Sequence, residues 1–423
     1  MTNQPFRAFD FDRDLEAVQR IWIECGWIDD DKDERAAVAD FLRAGETEIA
    51  TINDTAECSV HWTPGTIRYQ DETLNLGAVT AVTTSHIGRK QRFAQRLTAR
   101  SLARQRAAGM QVSALGIFDQ GFYNRLGYGN GPYETSVQFD PSTLKIDTPY
   151  RTPRRLTVDD CSAIHEALHN RRMYHGGVCL GPEKITEAEL KFHEKPYGLG
   201  YFDGPDGSLS HFIWGEMKGE HGPYRITLRA YQTREQLFEL LALIKSLGDQ
   251  ISSFRTLEFG EFQLQDLLEQ PFRNDRIRAG SEHTMRSRAL AYWQLRILDL
   301  GACVARTRLP GSPLRFNLEL NDPVDELLTG DLNWQPIGGS YLITLGETSS
   351  AASGRDAALP TLTASINAFT RLWFGIQSAT GLAIGDELVA SDELIEALDR
   401  KIALPRPHLS APDAGLFQIW NFG

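Results

Sequence analysis

A short segment rich in glycine and tyrosine is the first candidate for chemistry in this sequence of 423 residues. It runs from Gly121 to Gly129 and follows an apolar stretch, Val112 to Phe118, whose composition predicts a buried strand. Glycine permits tight turns and close backbone approach to a ligand, and a tyrosine in such a loop can donate its phenolic proton as a general acid. Tyr123 is therefore a candidate catalytic acid. The alternative is an aromatic turn that packs on the core.

A basic turn lies upstream of that segment, between the β-prone stretch Leu74–Thr84 and a helix that Gly109 is predicted to end. Its cations are Arg89, Lys90 and Arg92. A helix N-terminus carries free N–H groups and the positive end of the helix dipole, so cations beside it favour an anion such as phosphate. The alternative is a helix that merely begins with basic residues.

An acidic run, Asp29 to Glu34, joins two predicted helices near the N-terminus. Such a run is usually a solvated connection, but if it lines a cleft it attracts an amine. Two tryptophans beside the run offer cation–π contacts to the same cation, or they pack in the core. The candidate substrate-binding residues are Trp22, Trp27, Asp29, Asp30, Asp31 and Glu34.

The bulk composition narrows the class of partner and the compartment. A formal charge of −12 and a pI near 5.4 argue against sequence-independent nucleic-acid binding and favour a cationic partner, although many proteins are acidic for solubility alone. The five cysteines are odd in number and scattered, which is typical of reduced thiols. The first residues hold no apolar signal segment, and no apolar run is long enough to span a membrane. We therefore expect a cytoplasmic protein without a membrane partner.

The chain is too long for one hydrophobic core, so two or three domains are expected. The order strand, helix, strand recurs from Tyr224 to Phe259, where Thr233 and Gln236 predict a capping box at the start of the helix. No basic turn precedes this second helix, which predicts a structural role for the second copy. The polar segment 141–155 between the copies is predicted to be a linker.

A formal H-E-x-x-H motif begins at His165 and ends at His169. On a helix the two histidines share a face, the geometry in which a zinc hydrolase uses the intervening Glu166 as its general base. No third histidine follows at a metzincin spacing, and the next residues are strongly charged. We predict a solvated helix face and no metal.

The order strand, basic turn, helix, strand and aromatic glycine loop resembles the GNAT acyltransferases. Arg89 and Ala94 match the ends of the family motif Arg-x-x-Gly-x-Gly/Ala, and Phe122–Tyr128 matches Phe-Tyr-x-Arg-x-Gly-Tyr. More narrowly, the chain resembles the enhanced intracellular survival group. The resemblance implies an α/β (α+β) chain with two tandem GNAT folds followed by a sterol-carrier-protein-like α+β domain. The implied domains are 1–145, a degenerate GNAT fold at 150–287, and 290–423.

The same resemblance implies acetyl-CoA as co-substrate, with its pyrophosphate on the basic turn. A backbone N–H near Val82 would polarise the thioester carbonyl, Tyr123 would protonate the leaving thiolate, and the α-carboxylate of the terminal Gly423 would take the proton of the amine. The group generally assembles into homo-hexamers. The implied cofactor-binding residues are Val82, Thr84, Arg89, Lys90, Arg92, Phe93 and Ala94.

The sequence departs from the group at three positions. Arg92 stands where the motif has glycine, His86 stands where a proline is common, and Gly423 extends the chain one residue beyond the aromatic residue with which the group ends. Arg92 either pairs with a phosphate through its guanidinium or marks a lost CoA site. From the resemblance we expect acetyl transfer to an amine of a cationic small molecule, namely a polyamine, an aminoglycoside-like compound or a lysine side chain. The alternative is a diverged GNAT scaffold that binds or converts another small acyl or lipid ligand.

Overall fold

The structure is a computed structural model, and it describes residues 5–117, 120–191, 193–328, 330–405 and 407. Strands and helices are numbered in chain order. The strands are β1 Phe6–Ala8, β2 Glu46–Ile52, β3 Thr55–Tyr69, β4 Glu72–Thr84, β5 Val112–Gly116, β6 Gly129–Asn130, β7 Glu134–Phe139, β8 Arg154–Leu156, β9 Val178–Leu180, β10 Pro196–Tyr201, β11 His211–Glu216, β12 Tyr224–Ala230, β13 Phe254–Leu257, β14 Arg286–Leu290, β15 Trp293–Ile297, β16 Leu314–Asn321, β17 Gly339–Leu345, β18 Ser350–Ser353, β19 Thr361–Ser365 and β20 Leu388–Val389. The helices are α1 Phe11–Glu24, α2 Lys32–Leu42, α3 Phe93–Ala107, α4 Gln120–Asn124, α5 Cys161–Asn170, α6 Glu183–Lys191, α7 Arg234–Ser246, α8 Pro271–Ile277, α9 Leu300–Ala305, α10 Pro323–Leu327, α11 Ile366–Trp373, α12 Ala379–Gly385 and α13 Asp392–Lys401.

The chain divides into two compact units. Of the described residues, the first unit comprises those up to Pro132, the segment His175–Pro182 and those from Ala291 to Pro407. Its larger sheet has the strand order β1-β2-β3-β4-β5-β15-β6, and β9 pairs with β3. The pair β4–β5 is parallel, while the other pairs are antiparallel. Helix α3 connects β4 to β5 and buries Leu97 and Leu102 in the same core as the sheet residues Val60 and Leu115.

The first unit also contains a five-stranded sheet in the order β18-β17-β16-β19-β20. Helix α11 follows β19 directly, and its N-cap residue is Ser365, whose hydroxyl accepts a hydrogen bond from the Ala368 N–H. Its apolar residues recur at helical spacing and are buried, as expected for a helix that covers a sheet. Its fully or almost fully buried apolar residues are Ile366, Ala368, Phe369, Leu372 and Trp373.

The second unit comprises Tyr133–Tyr174 and Glu183–Leu290, and its sheet has the order β14-β7-β13-β12-β11-β10-β8. Helix α7 covers this sheet. The predicted capping box is confirmed, because Thr233 accepts from the Gln236 N–H and the Gln236 side chain accepts from the Thr233 N–H. Strands β10 and β11, which lie on either side of Gly204–Gly207, form an antiparallel hairpin.

Each large sheet contains one strand that lies in a distant part of the sequence. Strand β15 lies between β5 and β6, although it follows the whole second unit along the chain. Strand β7 lies between β13 and β14, although it precedes every other strand of that sheet in sequence. Neither compact unit is therefore a single continuous stretch of chain.

The segment predicted to be a linker is partly ordered into the core of the second unit. Pro141–Thr143 form a 3-10 helix, and the side chains of Leu144 and Ile146 are buried. The Lys145 N–H donates to the Leu267 carbonyl over 2.7 Å. Apolar side chains spaced between the polar residues decide this outcome, because they bury surface that an extended linker would expose. Within the described residues, no helix combines the length and apolar character needed to cross a bilayer.

Candidate active site

The parallel strands β4 and β5 separate part of the way along their length. Their pairing runs from Leu76 and Val112 to Val79 and Leu115. Beyond that point β4 continues along β3 as far as Thr84, while β5 stays with β15. The edge of β4 that would face β5 is thus unpaired with β5 from Thr80 to Thr84. Backbone N–H and C=O groups released in this way are available to an extended ligand, and Val82 and Thr84 lie in this stretch.

A β-bulge marks the point of separation. On β3, His61 pairs with Ala81 and the next residue, Trp62, pairs with Val79, so Thr80 is an extra residue in β4. A bulge redirects local backbone groups and is frequent beside active sites. The hydroxyl of Thr80 is buried and has no hydrogen-bond partner within the described residues. No local pattern in the sequence marks Thr80, because a bulge is a property of strand register.

The basic turn that follows β4 holds two non-glycine residues in the left-handed region. Lys90 has φ of 62° and Arg92 has φ of 59°. That conformation costs a side-chain-bearing residue about 1–2 kcal/mol relative to glycine. The position of the motif glycine therefore keeps a backbone conformation that glycine adopts most easily, although arginine occupies it. At its beginning the turn is anchored by Ser85, whose N–H donates to the Glu57 carbonyl over 2.9 Å.

Helix α3 begins without a capping side chain. Its N-cap residue is Arg92, which makes no side-chain cap hydrogen bond, and the first turn contains no acidic residue. Arg89, Lys90 and Arg92 are exposed, and within the described chain none of the three forms an ion pair with a carboxylate. Phe93 and Ala94 are half-buried and pack against the core of the sheet. Uncapped N–H groups beside unpaired cations are the elements of an anion site.

Tyr123 lies in a short helix, α4, rather than in the loop that its glycine neighbours predicted. Its side chain is 3% exposed, and its ring contacts Phe122 and Tyr128 at centroid distances of 4.9 and 6.2 Å. Tyr128 is fully buried, and its hydroxyl lies 2.7 Å from that of Ser113. Burial also raises the pKa of Tyr128. Because its hydroxyl is already paired with Ser113, the geometry favours a packing role for Tyr128. Tyr123 remains the candidate acid of this segment.

Side chains from the C-terminal part of the first unit hold this segment in place. The Gln294 amide donates to Oδ1 of Asn124 over 3.2 Å, and the Arg296 guanidinium donates to the Leu126 carbonyl over 2.7 Å. Arg296 also forms a fully buried ion pair with Asp322. Gly127 has φ of +81°, and a Cβ there would lie 1.8 Å from Arg296 Nη1. Glycine is therefore required at position 127 because the Arg296 side chain approaches the backbone there. The residues next to Gly127 in sequence give no sign of this contact.

The acidic run has local structural partners. Asp31 caps α2 by accepting from the N–H groups of Asp33 and Glu34, and these hydrogen bonds hold the pKa of Asp31 below its usual value. Asp30 pairs with Arg35 at 2.7 Å, and a carboxylate oxygen of Glu34 accepts from the Asp29 N–H over 2.7 Å. All four predicted acidic residues are exposed. The structure thus brings them together at the surface, where three of the four also stabilise the start of α2.

The two tryptophans pack on each other. Trp22 is 2% exposed, and its ring lies edge-on to Trp27 and Phe41 at centroid distances of 5.4 and 5.6 Å. This geometry gives Trp22 a core role, whereas Trp27 is half-buried. The remaining catalytic prediction, the carboxylate of Gly423, lies outside the described residues.

The H-E-x-x-H segment lies on α5, where the rings of His165 and His169 are 4.3 Å apart. His165 Nδ1 lies 2.8 Å from the hydroxyl of Thr186. In the described part of the chain, no group of three or more histidine, cysteine or acidic side chains is arranged to hold a metal ion.

The second unit repeats the parallel strand pair, but a side chain bridges its two strands. Strands β12 and β13 pair only at Tyr224 with Phe254 and at Arg225 with Arg255. Past this point Arg229 of β12 donates to three acceptors at distances of 2.6, 2.7 and 2.8 Å. Those acceptors are Thr256 Oγ1, the Leu257 carbonyl and the Glu258 carbonyl.

Comparison with known proteins agrees with this fold. Residues 11–131 match the acetyltransferase (GNAT) domain family. Among curated proteins, none matches the sequence. Three solved structures are similar over nearly the whole chain: a conserved protein of unknown function from Enterococcus faecalis V583 (17% identity, 95% of this chain and 97% of that one, TM-score 0.77), a GCN5-related N-acetyltransferase from Anabaena variabilis (15%, 95% and 98%, 0.75) and Eis1 from Mycobacterium abscessus (14%, 96% and 99%, 0.73). The chain therefore contains an acetyltransferase (GNAT) domain at residues 11–131, set within a mixed α/β fold that it shares with these structures.

Proposed function

We propose that the protein transfers an acetyl group from acetyl-CoA to an amine of a cationic small molecule. The observation that carries the proposal is the separation of β4 from β5, which leads directly into a cationic turn and an uncapped helix start. GNAT domains in general use acetyl-CoA as co-substrate. An extended chain with a pyrophosphate at one end needs a released strand edge and an anion site in this order.

The residues of the first unit fit that co-substrate. The N–H groups of the first turn of α3, with Arg89, Lys90 and Arg92, would hold the pyrophosphate. The free edge of β4 at Val82 and Thr84 would hydrogen-bond the extended arm, and a backbone N–H near Val82 would polarise the thioester carbonyl. The thioester supplies the activated acyl group.

Two residues of the chain would move the protons. Tyr123 donates its phenolic proton to the leaving thiolate, and the α-carboxylate of Gly423 accepts a proton from the attacking amine. Burial raises the pKa of the Cys58 thiol to about 12 and also raises that of Cys25. Neither thiol is a thiolate at neutral pH, which supports direct attack by the amine over a covalent cysteine intermediate.

The acceptor is a polyamine, an aminoglycoside-like compound or a lysine side chain. The formal charge of −12 and the exposed carboxylates of Asp29, Asp30, Asp31 and Glu34 support a cationic partner, because they raise its local concentration. Trp27, which is half-buried, is the more accessible of the two tryptophans for a cation–π contact, and its ring lies edge-on to that of Trp22.

We further propose membership in the enhanced intracellular survival group, with a sterol-carrier-like domain at 290–423 after GNAT folds at 1–145 and 150–287. The five-stranded sheet with α11 to α13 supports the third domain. A homo-hexamer in the cytoplasm belongs to the same proposal. The five free cysteines support a reducing compartment.

Calorimetric titration with acetyl-CoA and a thiol-release assay with a panel of polyamines, aminoglycosides and lysine peptides test the proposal. We expect one acetyl-CoA bound per chain and thiol release that depends on the amine. Absence of binding at millimolar CoA would refute acetyl transfer and favour a diverged scaffold. Binding without amine-dependent release would leave the CoA site standing and refute the cationic acceptor class.

A further inference from the structure

The helix that carries Tyr123 cannot be stable by itself. Helix α4 spans only Gln120–Asn124, and isolated helices of that length are not populated in water. The Asn367 side chain at the start of α11 donates from Nδ2 to the Asn124 carbonyl over 2.8 Å and to the Tyr128 carbonyl over 3.1 Å. One amide group therefore ties the last residue of α4 to the residue that enters the next strand.

The contact with Asn367 depends on a glycine of the same segment. A Cβ at Gly129 would lie 2.6 Å from the Asn367 carbonyl oxygen, so α11 approaches as closely as it does only because no side chain intervenes. Asn124 completes the arrangement by donating from its own Nδ2 to the Tyr128 carbonyl over 2.9 Å. The segment is thus fixed from outside by α11.

We propose that Asn367 is a positioning residue for acyl transfer, which holds α4 so that the Tyr123 hydroxyl stays within proton-transfer reach of the leaving thiolate. This inference rests on the proposed function. A general acid acts only within hydrogen-bond distance of its proton acceptor. A displacement of about 1 Å at a catalytic group costs up to about 100-fold in rate. Asn367 lies far from Tyr123 in sequence and acts through the Asn124 and Tyr128 carbonyls.

Kinetics of Asn367→Ala, alone and combined with Tyr123→Phe, test the role. We expect the single substitution to lower kcat about tenfold while the KM for acetyl-CoA stays unchanged, because the anion site on α3 is untouched. In the Tyr123→Phe background Asn367→Ala should cost nothing more, since no acid remains to be positioned. If the wild-type protein is active and the two substitutions lower kcat by independent factors that multiply, the positioning role of Asn367 is overturned while the proposed function stands.

Asn317 provides a matched control. It is 1% exposed, and its Nδ2 donates to the carbonyls of Asp356 and Leu359 over 2.8 and 3.0 Å. Asn317→Ala removes the same kind of tie within the same unit without touching α4. We expect it to lower the melting temperature and to leave kcat unchanged. An equal fall in kcat for both variants would overturn the positioning role and indicate general loss of structure.

Asn367→Asp keeps the shape and provides a second readout if the alanine variant does not fold. An ionised carboxylate cannot donate to the two carbonyls, whereas the protonated acid can donate to one of them. The ratio of variant to wild-type kcat should therefore rise as pH falls. A ratio that does not change with pH would overturn the inference. Absence of thiol release from the wild-type protein with every amine would refute the proposed function and this inference together.

Discussion

The two units contain the same pair of diverging parallel strands, and among the described residues a side chain bridges the gap between them only in the second unit. In each unit a bulge threonine follows the last parallel pair, Thr80 in β4 and Thr227 in β12. Two positions after the bulge threonine, the first unit has Val82 and the second unit has Arg229. Val82 offers only its backbone to a ligand, whereas Arg229 fastens β12 to the end of β13. Burial lowers the pKa of Arg229 to about 10, so the guanidinium stays charged at neutral pH.

The hydroxyl groups of the two bulge threonines differ in whether they have a hydrogen-bond partner. The Thr227 hydroxyl lies 3.1 Å from Nε2 of His193 and 3.4 Å from the Trp214 carbonyl. The Thr80 hydroxyl has no partner in the part of the chain that the structure describes. A polar group left unsatisfied beside a gap is tolerated where a ligand satisfies it, whereas structural sites satisfy their own groups.

The helices after the two strands show the same contrast. Helix α7 follows its N-cap residue Thr233, and the side chains of Thr233 and Gln236 each accept from the other's backbone N–H. Helix α3 starts after a long cationic turn and at Arg92, which gives it no cap. A helix start that caps itself offers few free N–H groups to an anion, so capping and phosphate binding compete for the same donors.

The largest expected effect follows from removing two cations of the first unit together. Arg89→Ala combined with Arg92→Ala should weaken acetyl-CoA binding at least about 150-fold, because each lost charge-assisted hydrogen bond costs about 1.5–3 kcal/mol. Calorimetry measures the change in Kd. The control is Arg234→Ala, which removes an exposed cation from the first turn of α7 and should leave the Kd unchanged. An equal change in Kd for the double variant and for Arg234→Ala would contradict the assignment of the anion site to the first unit.

Tyr123→Phe tests the proposed acid of the first unit. The corresponding segment of the second unit, which follows β13 from Glu258 to Leu264, contains no tyrosine. We expect kcat to fall about 100-fold while acetyl-CoA binding persists, because only the proton donor is lost. Steady-state thiol release measures the effect, and Tyr128→Phe controls for loss of packing. A kcat within about twofold of wild type would remove Tyr123 from the mechanism.

Arg229→Met tests whether the bridge alone keeps the second unit from binding a ligand. Loss of the hydrogen bonds to Thr256, Leu257 and Glu258 should lower the free energy of unfolding by about 2 kcal/mol. The number of acetyl-CoA molecules bound per chain should stay the same, because α7 remains self-capped. Denaturant unfolding and calorimetry measure the two quantities. Appearance of a second binding site would show that Arg229 is the decisive difference.

Thr233→Ala gives the smallest effect and sharpens the role of the cap. Removal of the capping hydroxyl should destabilise the protein by about 1 kcal/mol and leave acetyl-CoA turnover unchanged. Thr233→Ser, which keeps the hydroxyl, should restore the stability. Reduced turnover without reduced stability would connect the second unit to catalysis and contradict its structural assignment.

Local signals in the sequence predicted much of this fold. The capping box at Thr233, the end of α3 near Gly109, the strand β4 and the basic turn with Arg89 and Arg92 are determined by residues within a few positions of one another. Helix caps and turns form from such neighbours, so their chemistry can be recognised before any tertiary contact is known. Tyr123 was singled out by the same local reasoning and by a family resemblance.

The sequence by itself determined the chemical groups, namely the cations of the turn, the tyrosine and the self-capped second helix. Tertiary structure alone decided how they are held. It placed β15 between β5 and β6, converted the predicted tyrosine loop into α4 and brought Asn367 onto it. It also selected which of two similar strand pairs stays open. The physical reason is that strand register and side-chain bridges depend on residues far apart in the chain, which no local pattern specifies.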